Sequence, residues 1–205
     1  MNDRRILVIG GTGTIGSAVV RELATDHQVE SVGRSTDPPV DLSDLATIDR
    51  LADRLAGGPP FEAVVVCAGG GLPGRVEDLD LAGALEAFRP KLIGQMAVAQ
   101  AAPRFVRPGG AVVLTSGILE RRPMSGMSHL SMINAALRAF ALSAATEERS
   151  VRTCVVSPGL VQESPQRVLD FFSGMATVAS ADLAKVYRRL VETGRDGETI
   201  GLPEA

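Results

Sequence analysis

The chain has 205 residues, 45% of them hydrophobic but only 3% aromatic, which suits one compact domain with an aliphatic core and excludes a disordered or fibrous chain. Its formal charge of −3 comes from 21 basic and 24 acidic residues scattered along the sequence, so no basic stripe marks a nucleic-acid partner. Its 2 cysteines, Cys67 and Cys154, are too few and too far apart for a metal site or a disulfide framework, and each sits in an apolar run that predicts a buried, inert thiol.

Short β-branched runs alternate with longer helical patterns. A buried strand is predicted over 6–9; it is cut off by glycine too early for a signal peptide, which predicts a cytoplasmic protein. A helix over 15–24 and a strand over 29–32 follow. Ser43-Asp44 can cap a helix through Ile48, Leu51 and Leu55, which Gly57-Gly58-Pro59-Pro60 ends. The third strand, 63–67, runs into Gly69-Gly70-Gly71. A long helical region over 81–102 has Pro90 as a joint inside it. Pro108-Gly109-Gly110 turns into a strand over 111–115, and a helix over 128–148 leads to a strand over 151–156 and then Pro158-Gly159. Helices over 166–172 and 181–192 and a strand over 198–202 complete the order. Such alternation means parallel strands joined by right-handed crossovers: an α/β fold, one doubly wound parallel sheet with helices on both faces, as a single domain over 1–205. The longest apolar stretches are strand-sized, so no membrane span is expected.

Val8-Ile9-Gly10-Gly11-Thr12-Gly13-Thr14-Ile15-Gly16 joins the first strand directly to a helix. In that setting Gly10 permits a tight turn, Gly13 lets backbone approach a diphosphate, and Gly16 lets helix pack on sheet, with the anion at the helix N-terminus. A purely structural glycine turn is the other reading. The second strand ends Ser31-Val32-Gly33-Arg34-Ser35, without the carboxylate that would grip a ribose 2′-hydroxyl. Arg34 and Ser35 suit a 2′-phosphate instead, so the predicted cofactor is NADP(H); a solvated surface arginine is the alternative. Glu30 lies inside the strand and is a poor substitute acid.

These residues, with several later ones, resemble the short-chain dehydrogenase/reductase family over nearly the full length. Gly10-x-x-Gly13-x-x-Gly16 looks like the spacing of that family's atypical and extended branches. Asp41-Leu42 falls where the family has an Asp contacting adenine, and Cys67-Ala68-Gly69-Gly70 is similar to its Asn-Asn-Ala-Gly segment. Leu114-Thr115-Ser116-Gly117 resembles the strand end bearing the catalytic Ser, Ser157-Pro158-Gly159 the turn beside the nicotinamide, and Gly197-Glu198-Thr199-Ile200 the final strand. The resemblance implies a Rossmann-type sheet and a cofactor-binding set of Gly10, Thr12, Gly13, Thr14, Ile15, Gly16, Arg34, Ser35, Asp41, Leu42, Ala68, Gly69, Gly70, Pro158 and Gly159.

The resemblance breaks at the active-site helix. Ala135-Ala136-Leu137-Arg138-Ala139-Phe140 matches the tail that follows the family's Tyr-x-x-x-Lys, which puts Asn134 at the Lys position and Leu130 at the Tyr position. Tyr187, the chain's single tyrosine, comes far too late to serve. Lys91-Leu92-Ile93-Gly94 stands where the family has Asn-x-x-Gly. Of the four usual residues only Ser116 survives, and leucine cannot protonate an alkoxide. The candidate replacements are Lys91, as a cation beside Ser116 or else a solvated helix lysine, and His129, as a proton donor or else a cap or surface residue. Ser116 would orient a substrate oxygen, or bond local backbone. Arg121-Arg122 would meet an anionic substrate or stay solvated; Met124, Met127 and Met132 would line a pocket or fill core. The helix over 166–172 is the candidate lid over a small or open site.

The resemblance further implies a small-molecule substrate and homo-oligomers built through the helices near 84–102 and 130–145. The expected function is an NADP(H)-dependent oxidoreductase for a small carbonyl or alcohol, with a non-standard proton relay. A non-redox isomerase, cyclase or dehydratase on the same scaffold, and a catalytically silent NADP(H)-binding sensor, are the alternatives.

Overall fold

The computed structural model describes residues 4–70, 75–78 and 80–203; Gly71 of the predicted glycine run lies outside them. Strand β1 (Arg5–Ile9) is the centre from which the fold builds. Its residues Ile6 to Ile9 are fully buried, because a parallel strand covered on both faces needs apolar side chains at every position. β2 (Gln28–Val32) pairs with one edge of β1 and β3 (Phe61–Val66) with the other, both parallel, with Ile9 opposite Val32 and Val66. β4 (Val106–Thr115), β5 (Arg152–Pro158) and β8 (Thr199–Leu202) extend the sheet to the order β2-β1-β3-β4-β5-β8. All six strands of this sheet match predicted ones.

Between β1 and β3 the order reverses, so the helix after β1 and the one before β3 leave opposite faces and open a crevice at the strands' carboxyl ends. On one face Leu7, Ile9, Val64 and Val66 pack against α2 (Leu45–Leu55), α4 (Gly94–Ala101) and α5 (Ser128–Ala144). On the other, Ile6, Val8 and Val65 meet α1 (Thr14–Leu23) and α7 (Ser180–Thr193). Asp44 caps α2 by accepting the Ala46 N–H at 3.1 Å, as its sequence position predicts.

The joint predicted at Pro90 is a π turn. α3 (Leu81–Phe88) gives way to five residues, Arg89–Ile93, with the wider hydrogen-bond spacing of a π helix, and Gly94 N–H then donates to Arg89 O. Proline has no N–H to offer the α ladder, and a single wide turn absorbs the defect. Gly94 then runs against β2's outgoing loop: a Cβ there would stand 2.3 Å from Leu42 O.

Two differences from the sequence reading matter to the site. Pro108-Gly109-Gly110, expected as a turn, is drawn into β4, where the pairing with β3 is irregular between Phe61 and Ala63. A two-stranded ribbon, β6 (Leu160–Val161) with β7 (Thr177–Val178), brackets α6 (Gln166–Phe171) and was not anticipated. Two-residue strands carry no readable period.

Candidate functional site

The turn after β1 has the geometry its glycines allow. Gly10 sits at φ +88°, donates its N–H to Val32 O at 2.8 Å, and accepts the Gly13 N–H at 3.2 Å. At Gly16, a Cβ would lie 2.1 Å from Gly10 O, so the helix approaches the turn as closely as backbone permits. Gly13 has only Gly10 O nearby, at 3.5 Å, which leaves its outer side open. α1 therefore starts on Gly13 with no side-chain cap and no acidic residue in its first turn. Uncapped N–H groups and the positive end of the helix dipole face the crevice, which is the chemistry of an anion site.

A cavity of about 550 Å3 runs from this turn along the ends of β1, β2 and β3. It gathers Gly10, Thr12, Gly13, Arg34, Ser35, Asp41, Leu42, Ala68, Gly69 and Gly70 from the predicted set. Thr14 and Gly16 are not in the lining: Thr14 is the first residue of α1, and Gly16 is buried beneath the turn. Arg34 is exposed at the rim and forms no salt bridge among the described residues, whereas Glu30 faces Arg5 at 3.6 Å. Asp41 accepts Ser43 N–H at 2.9 Å and Ser43 Oγ–H at 2.7 Å. Those two bonds, and then the Arg34 charge, hold its carboxyl below the usual range. Asp41 thus stiffens the loop that carries Leu42 into the cavity. Cys67, Pro90 and Ser43 also line it, unpredicted. Cys154 is buried as expected, whereas Cys67 is half-buried at the cavity wall; desolvation still pushes the Cys67 thiol up to about 12, and the Cys154 thiol likewise, so both stay neutral.

Beyond the turn lies a smaller cavity of about 230 Å3. Ser116 and Gly117 enter it from the end of β4, Leu130 and Asn134 from α5, Pro158 and Gly159 from the end of β5, and Ile15 from α1. Lys91 is aimed into it by the π turn and is only 8% exposed. Its ammonium donates to Ser116 O at 2.8 Å, and burial lowers its pKa from the usual lysine value to about 8. Ser116 Oγ and Asn134 Oδ1 are buried here without a hydrogen-bond partner among the described residues, while Ser116 N–H is spent on Val156 O at 2.8 Å. The Ser116 hydroxyl is therefore free of the local backbone. Gln95, fully buried, fixes this strand end by pairing with both Thr115 N–H (2.8 Å) and Thr115 O (2.9 Å). The candidate lid supplies Val168 from α6 itself, with Phe172 and Met175 just after it.

Leu130 occupies the cavity where the alignment puts the missing tyrosine, and Asn134 lies one helical turn further in. Lys91, on the facing π turn, is the one charged residue among the described residues that line the cavity. His129 is a correction. It is buried with neither ring nitrogen partnered among the described residues, it packs edge-on to Phe88 (centroids 6.4 Å apart), and it is not part of the cavity lining. One residue is about 100° of helix, so the neighbour of an inward-facing Leu130 faces elsewhere. Tyr187 is sealed beneath the sheet, its hydroxyl 2.7 Å from Thr115 Oγ1. Arg121 is half-buried with its guanidinium packed onto Gly201, Arg122 is exposed, and neither lines the cavity. Of the methionines, Met127 is core and Met132 is exposed; Met175 is the one in the lining.

Comparison with known proteins agrees with this geometry. The family model described as Enoyl-(Acyl carrier protein) reductase matches residues 11–194. The Listeria innocua protein lin1944 has a solved structure with a TM-score of 0.90 and 29% identity, covering 97% of this chain and 99% of that one. A small-chain dehydrogenase solved in complex with NADPH has a TM-score of 0.85 and 25% identity, covering 98% and 97%. A Schizosaccharomyces pombe PIGF/3-ketodihydrosphingosine reductase fusion protein is 26% identical over 89% of this chain, which spans 44% of that relative's length. Among the described residues no helix is long and apolar enough to cross a membrane.

Proposed function

Because the chain belongs to the short-chain dehydrogenase/reductase family, we propose that it is an NADP(H)-dependent oxidoreductase for a small carbonyl or alcohol, working with a rebuilt proton relay. The observation that carries this reading is the Lys91 ammonium held 2.8 Å from Ser116 O in a small cavity that adjoins an uncapped helix N-terminus. The larger cavity fits the cofactor. The N–H groups opening α1 take the diphosphate, and Arg34, in no salt bridge among the described residues, takes the 2′-phosphate with Ser35. An NADPH-bound relative supports the same assignment. When bound, NADPH supplies a hydride.

The chain's own residues do the rest. Ser116 Oγ, buried and unpartnered, donates to the substrate carbonyl oxygen and fixes it in the cavity. Lys91 holds positive charge where negative charge develops on that oxygen, and with a pKa of about 8 it can release a proton near neutral pH. A water reaching the cavity reprotonates it. Leu130 and the lid side chains keep the remaining volume apolar. Residues 1–205 act as one binding unit in the cytoplasm. Copies associate through the α4–α5 face, where Met132 and Leu142 stay about half exposed.

NADPH oxidation followed against a panel of small aldehydes and ketones tests this. Turnover is expected with some member, and Ser116→Ala lowers kcat by about 100-fold without changing NADPH affinity. NADPH binding with no turnover across the panel would favour the second reading, a silent binding protein, for which the leucine at the proton-donor position is the specific support.

A further inference from the structure

We propose that the substrate of this site is a small 2-oxo acid whose keto and carboxylate oxygens are both held by the Lys91 ammonium; this rests on the reductase reading and narrows it. The described lining of the smaller cavity holds one cation and no anion. Among the described residues that line it there is no Asp, Glu, Arg or His, and none of the ion pairs formed by the described residues includes Lys91. Burying a charge without a counter-charge costs several kcal/mol, so the site is built at a loss unless something negative enters it.

An ammonium has three N–H donors. One is committed to Ser116 O at 2.8 Å, and among the described residues no other partner takes the remaining two. A simple ketone would satisfy only one of them. A 2-oxo acid presents a keto oxygen and a carboxylate oxygen side by side, which matches two donors on one nitrogen and supplies the missing charge. Ser116, whose Oγ is buried without a partner among the described residues, lines the same cavity and would donate to one of these oxygens. Ile15, Val168 and Phe172 leave an apolar remainder within about 230 Å3 for a short alkyl tail. Burial has already moved Lys91 to about 8, and an anionic ligand would move it back up. The other titratable groups behind this strand end, Cys67 and Tyr187, are held neutral by burial and do not compete. The reaction balances with NADPH as reductant: the keto carbon gains a hydride and its oxygen a proton. The 2-oxo acid becomes a 2-hydroxy acid, and NADPH becomes NADP+.

The test is calorimetric titration of 2-oxobutyrate and of neutral 2-butanone into wild type, Lys91→Met and Lys91→Arg, each with and without saturating NADP+. Wild type is expected to bind 2-oxobutyrate about 10-fold or more tighter than 2-butanone well below pH 8 and to lose that preference well above it. Lys91→Arg keeps the preference at both pH values, and Lys91→Met loses it at both. Equal binding of the two probes by wild type, or a preference surviving in a folded Lys91→Met, overturns the proposal. Should Lys91→Met not fold, the pH comparison on wild type decides alone. A carboxylate preference in protein that ignores NADPH would leave an anion site but sink the reductase reading, and with it the ligand's role as a substrate to be reduced; NADPH binding without the preference sinks this inference and leaves the reductase reading standing.

Discussion

Gly16→Ala is expected to lower stability by about 1–3 kcal/mol and to weaken NADPH binding by about 100-fold or more. The added Cβ would stand 2.1 Å from Gly10 O, 2.8 Å from Gly10 C and 2.9 Å from Gly11 Cα. These are backbone atoms, so no flexible side chain can swing aside. Alanine's better helix propensity returns only about 1 kcal/mol, too little to offset the clash. Relief requires α1 to slide away from the turn, and that carries its free N–H groups off the diphosphate. Losing two charge-assisted hydrogen bonds, each about 1.5–3 kcal/mol, accounts for the affinity change. Gly13→Ala is the contrast. It has a φ of −76° and no atom closer than 3.5 Å, so it should melt like wild type while its methyl group obstructs the cofactor. Thermal melts beside NADPH titrations separate the two effects.

Arg34→Ala should weaken NADPH by about 10–100-fold and leave NADH nearly unchanged. The arginine is exposed, it forms no salt bridge among the described residues, and it lines the cavity at the end of β2. Its guanidinium therefore gives up no existing ion pair to meet a 2′-phosphate. Asp41 is near enough for the Arg34 charge to lower its pKa, but among the described residues the two form no ion pair, and the Asp41 carboxylate is hydrogen-bonded to Ser43. The advantage of NADPH over NADH in wild type should also shrink as salt rises, since the pairing lies at the solvent-exposed rim. A fluorescence titration of both coenzymes on both proteins measures the ratio directly.

The fold and the residues of the larger cavity were largely legible in the sequence for one physical reason. Strands buried on both faces must be continuously apolar, and the turn after β1 requires glycine at Gly10, with its φ of +88°, and at Gly16, where a Cβ would meet backbone. Ile6 to Ile9 and these two glycines state both facts locally. The smaller cavity was less legible because it depends on where side chains point. Pro90 marks a joint, but not that the joint is a π turn that turns Lys91 inward. His129 and Leu130 are adjacent in sequence, and only the helix rotation decides that Leu130 enters the cavity while His129 packs on Phe88. Arg121 looked solvated until β8 brought Gly201 beneath its guanidinium, a contact made across 80 residues of chain. Tyr187 was rightly set aside, although nothing local foretold its bond to Thr115 beneath the site.

The central claim is that the turn between β1 and α1, with Arg34 across the cavity, holds an NADP(H) molecule. Calorimetric titration of folded wild-type protein with NADPH and with NADH, side by side, tests it most directly. Saturable uptake of one NADPH per chain, tighter than NADH, is the predicted result. Heats of dilution alone for both coenzymes, from protein with an intact melting transition, would contradict it.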